Sequence, residues 1–411
     1  KQEIKNANFS MEKAEGKTPL LFGTVDTPDA KTTVMFYGHL DKQPPLSGWA
    51  DGLGPYTPVL KDGFLYGRGS LDDGYAFFMS VLIVKALQIA NRLRFRVVFF
   101  FETDEESGSN DVPYYLEKLK DRVKTPDTIF IADLGGFDAS TFYLTQSIRG
   151  SVKFELTAQS LTQGAHAGDA GGIVPETFRL ARHLLDRIER PSDGALPQSL
   201  YTKVPLEYYR QARAFTSEKG PALLAMLPLA EGVRPCRSDA LELYLNAVWR
   251  PNLTTVGVDG LLPTAEAGNV LRPLTRLAID VRIPPDLPHQ KAIEGLRAAF
   301  ESTPPLYDTT VSLKDVGGCS GINLKPLKNS LKDAITSSCK SSFGKDPLFW
   351  GCGASIGCVP MFDAAFPNSA LVICGAGTPD SLPHSPNERL NVSYMIKIAK
   401  VIYSALDVYN P

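Results

Sequence analysis

The chain has 411 residues, 43% of them apolar and 21% charged, with a net charge of −2. That length accommodates two globular domains, and the near-neutral balance gives no basis for a nucleic-acid or other polyanionic partner. The longest apolar run, Tyr75 to Ala90, is interrupted by Ser80 and Lys85 and falls short of the roughly 20 residues of a membrane span, so no membrane partner is expected.

In chain order, the first buried-strand signal is Thr33–Tyr37, followed by a helix over Tyr75–Ala90, a strand over Arg96–Phe101, a helix over Val112–Lys120 and a strand over Thr128–Ala132. These strand segments are continuous apolar runs and do not alternate, as expected of central strands covered on both faces. From Arg149 to about Val316 the character changes. The pattern there predicts a strand (Ser151–Ala158), an amphipathic helix (Pro175–Ile188), strands at Ala240–Val248 and Thr275–Ile283, a helix (His289–Phe300) and a strand (Thr309–Leu313). The segments Glu189–Gln198 and Thr202–Gly220 read as loop or small-helix insertions. A helix over Leu327–Phe343 and a strand over Ala370–Cys374 resume the first pattern. The expected architecture is therefore α/β, with one unit formed by residues 1–148 and 317–411 and an α+β unit, residues 149–316, inserted into it.

Each of these four strands of the outer unit ends at a short acidic or histidine motif: Y-G-H-L-D (Tyr37 to Asp41), F-E-T-D-E-E-S-G-S (Phe101 to Ser109), I-A-D-L-G-G (Ile131 to Gly136) and G-A-G-T-P-D-S-L-P-H-S-P-N-E (Gly375 to Glu388). A fifth motif, Y-G-R-G-S-L-D-D-G (Tyr66 to Gly74), precedes the apolar helix. In an open α/β sheet chemistry collects at the carboxyl ends of strands. Three of the motifs have a plainer explanation when taken alone. His39 with Asp41 also fits a satisfied core histidine beside an aspartate turn, Asp72 or Asp73 a helix N-cap, and Glu105-Glu106 a solvated loop. Like charges at a buried strand end, however, are unfavourable unless a cation neutralises them. A serine-hydrolase reading lacks a G-x-S-x-G elbow, and G-R-G-S lacks the lysine of a phosphate-binding loop.

In this order the motifs resemble the M20 family of metallopeptidases, over nearly the whole chain from about Pro19 to Leu406. The segment R-P-N-L…G-V-D-G within Val233–Gly260 is most similar to the carnosinase and non-specific dipeptidase branch. The resemblance implies a mixed sheet flanked by helices, as in zinc peptidases, with an inserted two-layer lid and dimerisation domain. It also implies two divalent metal ions, zinc first and manganese or cobalt as alternatives. One would be held by His39, Asp72 and Asp133, the other by Asp72, Glu106 and His384. Three protein ligands and an open position per ion is the arrangement of a catalytic site. Glu105 would be the general base and Asp41 would orient His39. His166, in Q-G-A-H-A-G-D-A-G-G, would reach the active site of a second subunit in a homodimer; a turn histidine is its plainer alternative. Arg282, Asn252, Gly353 and Ser355 match substrate-binding positions.

The implied reaction is hydrolysis of the amide bond of a small carboxylate-bearing substrate, a dipeptide first. Deacylation of an N-acyl amino acid by the same site and a catalytically silent metal-binding module are the alternatives. Two departures from the branch stand out: Asp73 runs straight into Gly74-Tyr75, and the polar positions of Gly321–Ser330 contain no histidine. Six cysteines (Cys236, Cys319, Cys339, Cys352, Cys358, Cys374) lie far apart with no C-x-x-C pair, which predicts free thiols and a cytoplasmic location. The chain begins at Lys1 without a methionine, so a removed signal peptide stays open.

Overall fold

The computed structural model describes residues 4–225 and 227–409; the expected limits of the outer unit at 1–3 and 410–411 lie outside them. The chain opens with strands β1 (Ala7–Glu12), β2 (Leu20–Val25) and β3 (Thr33–His39), then β4 (Val59–Lys61), β5 (Phe64–Tyr66), helix α1 (Gly74–Ile89) and β6 (Arg96–Glu102). Helices α2 (Val112–Lys118) and α3 (Lys120–Val123) lead to β7 (Thr128–Ile131) and β8 (Tyr143–Ile148). The middle of the chain holds β9 (Gly150–Gln159), β10 (Ala165–His166), α4 (Ala167–Ala170), α5 (Thr177–Leu185), α6 (Leu206–Ala225) and α7 (Ala240–Val248). It continues through β11 (Asn252–Asp259), β12 (Val270–Leu271), β13 (Leu274–Ile283), α8 (His289–Phe300) and β14 (Thr310–Cys319). The last part comprises β15 (Ile322–Asn323), α9 (Asn329–Phe343), β16 (Leu348–Cys352), α10 (Cys358–Ala365), β17 (Ala370–Ile373), β18 (Arg389–Asn391) and α11 (Val392–Val408).

Nine strands form one mixed sheet in the order β1-β2-β6-β3-β7-β17-β8-β15, with β16 also paired to β8. The central pairs β6/β3, β3/β7 and β7/β17 are parallel. Strands β3 and β6 are buried at every position because both faces are covered. Val34, Phe36, Val97, Phe99 and Phe101 point to the layer of α1, α9 and α11. Met35, Tyr37, Val98 and Phe100 point to the layer of α2 and α10. This is the two-residue alternation of a strand with apolar residues at both phases. Each fully buried side chain of this size stabilises the fold by about 1.5–3 kcal/mol.

A second, antiparallel sheet has the order β11-β13-β9-β14. Alternate residues of β13 are buried, and those of β9 and β13 pack against Leu180, Leu184, Leu296 and Phe300 of α5 and α8. The architecture is thus mixed α/β, as expected.

Two expectations fail in the middle of the chain. Ala240–Val248, expected as a strand, is helix α7. Asp239 caps it by accepting from the Glu242 backbone N–H at 2.9 Å, and its buried residues Tyr244, Leu245 and Val248 follow helical spacing. The segment Thr202–Gly220, expected as loop or small helix, contributes most of the 20-residue α6. Its Tyr208, Ala212 and Phe215 form a cluster with Tyr244, Trp249 and Tyr143, against which Phe137 and Trp350 pack. Both helices therefore lie against the nine-stranded sheet, and neither contributes to the core of the four-stranded one.

Candidate metal centre

Strands β6, β3, β7 and β17 are neighbours and parallel, so their carboxyl ends open onto one edge of the sheet. His39 is the last residue of β3, Glu105 and Glu106 sit on a short turn after β6, Asp133 follows β7, and His384 lies in the loop after β17. Asp72 enters just before α1, and the peptide bond joining it to Asp73 is cis.

These residues converge. His39 Nε2 lies 2.9 Å from Asp72 Oδ1 and 3.5 Å from Asp133 Oδ1. His384 Nε2 lies 2.7 Å from the other Asp72 oxygen and 3.4 Å from Glu106 Oε2. The donor atoms of His39, Asp72 and Asp133 all fall within 4.8 Å of one another, as do those of Asp72, Glu106 and His384. Asp72 belongs to both groups.

Several residues hold this arrangement in place. The ring of His39 is fully buried, and its Nδ1 is 3.3 Å from Asp41 Oδ1. The Asp41 carboxylate also accepts from the backbone N–H groups of Glu105 (3.3 Å) and Glu106 (3.0 Å), which ties the β3 end to the β6 loop. Glu388, also fully buried, accepts from the backbone N–H groups of Leu71 and Asp72 at 3.1 Å and from Arg68 Nη1 at 2.6 Å. Gln43 donates to Glu106 Oε2 at 2.6 Å. Gly38 has to be glycine, because a Cβ there would lie 2.6 Å from Asp73 Oδ2 and 2.8 Å from the Phe101 ring. Sequence reasoning missed Gln43, Arg68 and Glu388. Glu388 closes one motif already noted and Arg68 lies within another, whereas Gln43 has no signal beyond its neighbours.

The electrostatics call for positive charge. Burial and then the charge of Asp133 raise the Glu105 carboxyl to about 8. Burial likewise raises Asp133 and Glu106, although His39 partly offsets the first and the Gln43 hydrogen bond the second. Burial disfavours the charged form of His39, but Asp133, Asp41 and Asp72 outweigh it and raise the imidazole. Asp72 is pushed upward by burial and brought below the usual carboxylate range by its hydrogen bonds to His384 and His39. Glu106 Oε1 and both oxygens of Asp73 are buried without a hydrogen-bond partner among the described residues. Imidazole and carboxylate donors without a thiolate, with an orphaned carboxylate oxygen among them, fit divalent cations of the zinc, manganese or cobalt type.

A family model described as Peptidase family M20/M25/M40 matches residues 35–407. The chain belongs to that family. It is therefore a hydrolase, and metallopeptidases of this family use divalent metals. Beta-Ala-His dipeptidase of Mus musculus is 27% identical over 393 residues, 91% of this chain and 76% of that protein. Cys-Gly metallodipeptidase DUG1 of Saccharomyces cerevisiae is 26% identical over 411 aligned positions, 95% of this chain and 82% of that protein. The solved structure of the dipeptidase Dug1p from Saccharomyces cerevisiae shares the fold, with a TM-score of 0.77 at 21% identity over 98% of this chain and 87% of that one.

The metallopeptidase has a cleft of about 360 Å³ over the acidic cluster, lined by Asp72, Glu105, Glu106, Asp133, His384 and Ser355 among others. Arg282 Nη1 donates to Ser355 Oγ at 3.0 Å, and Arg282 also pairs with Asp280 at 3.0 Å. Asn252 and Gly353 are both bonded to Arg149, a residue the sequence did not single out. The structure thus gathers Arg282, Ser355, Asn252 and Gly353 into one network. His166 is not brought to the cleft within one chain. Its exposed imidazole lies 3.5 Å from Asp169 on α4. Among the described residues, no helix is long and apolar enough to cross a membrane.

Proposed function

We propose that this metallopeptidase hydrolyses dipeptides, with two divalent cations, zinc first, shared between the groups His39, Asp72, Asp133 and Asp72, Glu106, His384. The observation that carries the reading is that Asp72 presents one carboxylate oxygen to His39 and the other to His384. The names of the two relatives, which specify a Beta-Ala-His and a Cys-Gly substrate, support the choice of a dipeptide. The bound cations would supply a water of lowered pKa and polarise the scissile carbonyl.

The chain's own residues divide the remaining work. Glu105, a cleft-lining carboxylate with a raised pKa, takes a proton at the cleft wall and returns it to the leaving nitrogen, a role contributing about 10²–10⁴-fold. Asp41 holds the proton of His39 on Nδ1 and leaves Nε2 free to act as a ligand. The planar fork of Arg282 suits the substrate carboxylate, with Ser355, Gly353 and Asn252 shaping that end of the cleft. His166 acts on the cleft of a second copy in a homodimer and donates to the carbonyl oxygen as charge develops there. The exposure of His166 supports a role between chains rather than within one.

The test compares kcat/KM on a dipeptide panel with an N-acetyl and N-succinyl amino-acid panel, alongside metal analysis before and after chelation. Dipeptide turnover that chelation removes and zinc restores is the expected result. A preference for N-acyl substrates would reassign the enzyme as a deacylase, and a metal-loaded protein with no turnover would leave a binding module. Mixing His166→Ala with Glu105→Gln protein should restore activity if clefts are shared between copies.

A further inference from the structure

Arg149 stands at the junction of the two sheets, between the end of β8 at Ile148 and the start of β9 at Gly150. Only 8% of it is exposed. Its Nε donates to the Gly353 carbonyl at 2.9 Å, and its Nη1 donates to Asn252 Oδ1 at 2.6 Å and to the carbonyls of Arg250 and Asn246 at 3.2 and 3.3 Å. Its backbone N–H donates to the Cys352 carbonyl at 3.2 Å, and its own carbonyl accepts from Ser355 Oγ at 2.7 Å. Ser355 Oγ in turn accepts from Arg282 at 3.0 Å. One residue thus connects three segments that are far apart in sequence, carrying Asn252, Arg282 and the Gly353–Ser355 loop.

The chemistry of the contacts is specific to a guanidinium, which presents several donors in a rigid plane where an ammonium presents a compact point charge. Gly353 is packed into this arrangement, because a Cβ there would lie 2.5 Å from the Ala247 carbonyl oxygen and 3.3 Å from Arg149 Nη2. Arg282 has a carboxylate partner in Asp280. The hydrogen bonds of Arg149 go to carbonyl and amide oxygens and, among the described residues, none goes to a carboxylate, although Asp280, the partner of Arg282, lies near enough to act on its charge. Burial and the nearby Arg282 lower its pKa to about 10, which keeps it charged at neutral pH.

We propose that Arg149 is the positioning residue for the carboxylate-binding end of the cleft. It holds Asn252, the Gly353 carbonyl and, through Ser355, Arg282 in one arrangement, and together with Arg282, against the single carboxylate of Asp280, it adds positive charge to the field an anionic substrate end meets. This rests on the dipeptidase reading above for the identity of the anion.

The test uses Arg149→Lys and Arg149→Met in the full-length, metal-loaded enzyme, with kcat and KM measured for one dipeptide and for the same dipeptide carrying a C-terminal amide. Deuterium uptake over residues 352–356 is followed in parallel. For Arg149→Lys the expected result is unchanged metal content, kcat within a few-fold of wild type, and a KM for the free dipeptide raised about 10–100-fold, the scale of a lost charge-assisted hydrogen bond. The KM for the amide should move far less, and deuterium uptake at 352–356 should quicken. An unchanged KM, an equal loss on both substrates, or unchanged uptake would overturn the proposal. If Arg149→Met does not fold, Arg149→Lys decides, together with its combination with Asn252→Ala, whose effect should be less than additive. A wild-type enzyme that cleaves no dipeptide sinks the functional reading, while the uptake measurement still decides whether Arg149 orders the loop.

Discussion

The two oxygens of the Asp72 carboxylate serve different histidines, His39 at 2.9 Å and His384 at 2.7 Å, residues that are 345 positions apart in the sequence (384 − 39). A carboxylate placed this way ties together two donor groups that otherwise share no atom.

Loss of that carboxylate should therefore differ in kind from loss of a terminal ligand. Asp72→Ala is expected to abolish binding at both positions, whereas His384→Ala should leave the group of His39 and Asp133 able to retain about one ion. Metal stoichiometry by mass spectrometry of dialysed protein separates the two outcomes. Wild-type metal content in Asp72→Ala would disprove the shared ligand. Asp41→Asn, which touches His39 and no expected ion, should weaken metal binding by the 10–100-fold typical of such supporting residues.

Glu105 is the cleft carboxylate that neither donor group uses. Glu105→Gln should leave metal content close to wild type and lower kcat by about 10²–10⁴-fold. Steady-state kinetics on metal-replete protein tests this, and a kcat within a few-fold of wild type would remove Glu105 from the role of base.

The metal-free protein should lose stability as pH rises from about 5 to 8. Burial raises Glu105 from 4.5 to about 8 and Glu102 from 4.5 to about 7. Between the unfolded and folded values the unfolded chain has released protons that the folded chain keeps, so unfolding becomes more favourable as pH rises. His39, raised from 6.5 by its carboxylate neighbours despite burial, acts in the same direction above pH 6.5. Asp72, held below 3.8, matters only in stronger acid. Thermal melts of chelated protein across this range should show a falling midpoint and a shallower slope in Glu105→Gln. Added zinc should stabilise most at the alkaline end, where the ligands are deprotonated. A midpoint that rises with pH would contradict the charge arrangement.

Glu388 supports Asp72 from below and pairs with Arg68 where both side chains are almost wholly buried. Glu388→Ala leaves that guanidinium uncompensated and should destabilise by about 3–5 kcal/mol, read from urea unfolding of the metal-free protein. Adding Arg68→Met should recover part of the loss. Metal affinity should fall in both variants, since the backbone that presents Asp72 loses its acceptor, and unaltered affinity would show that the loop holds its shape without Glu388.

Much of the candidate site could be read from the sequence because His39, Glu105, Glu106 and Asp133 sit at or just after the ends of strands that are buried on both faces. Such strands are continuous apolar runs, and a charged residue that ends one is conspicuous. The plainer readings lose ground because His39 meets Asp72 and Asp133 as well as Asp41, and because Glu105 and Glu106 line a cleft in which Glu106 faces His384. The helices α6 and α7 were hidden for the opposite reason. Thr202–Gly220 is largely polar, and Ala240–Val248 alternates well enough to pass for a strand. Their helical state is selected by burial of Tyr208, Phe215, Tyr244 and Val248 beside Tyr143 and Trp350, partners that local pattern does not contain.

By itself the sequence determined which donor atoms exist and which strand end or loop carries each, because apolar periodicity and motif chemistry are local properties. Only the tertiary structure decided that Asp72 stands between His39 and His384, that Glu388 fastens the loop before it, and that Arg149 joins Asn252, Gly353 and Ser355. Those relationships are distances between remote segments, and they are set by strand order and by the packing of helices on the sheet.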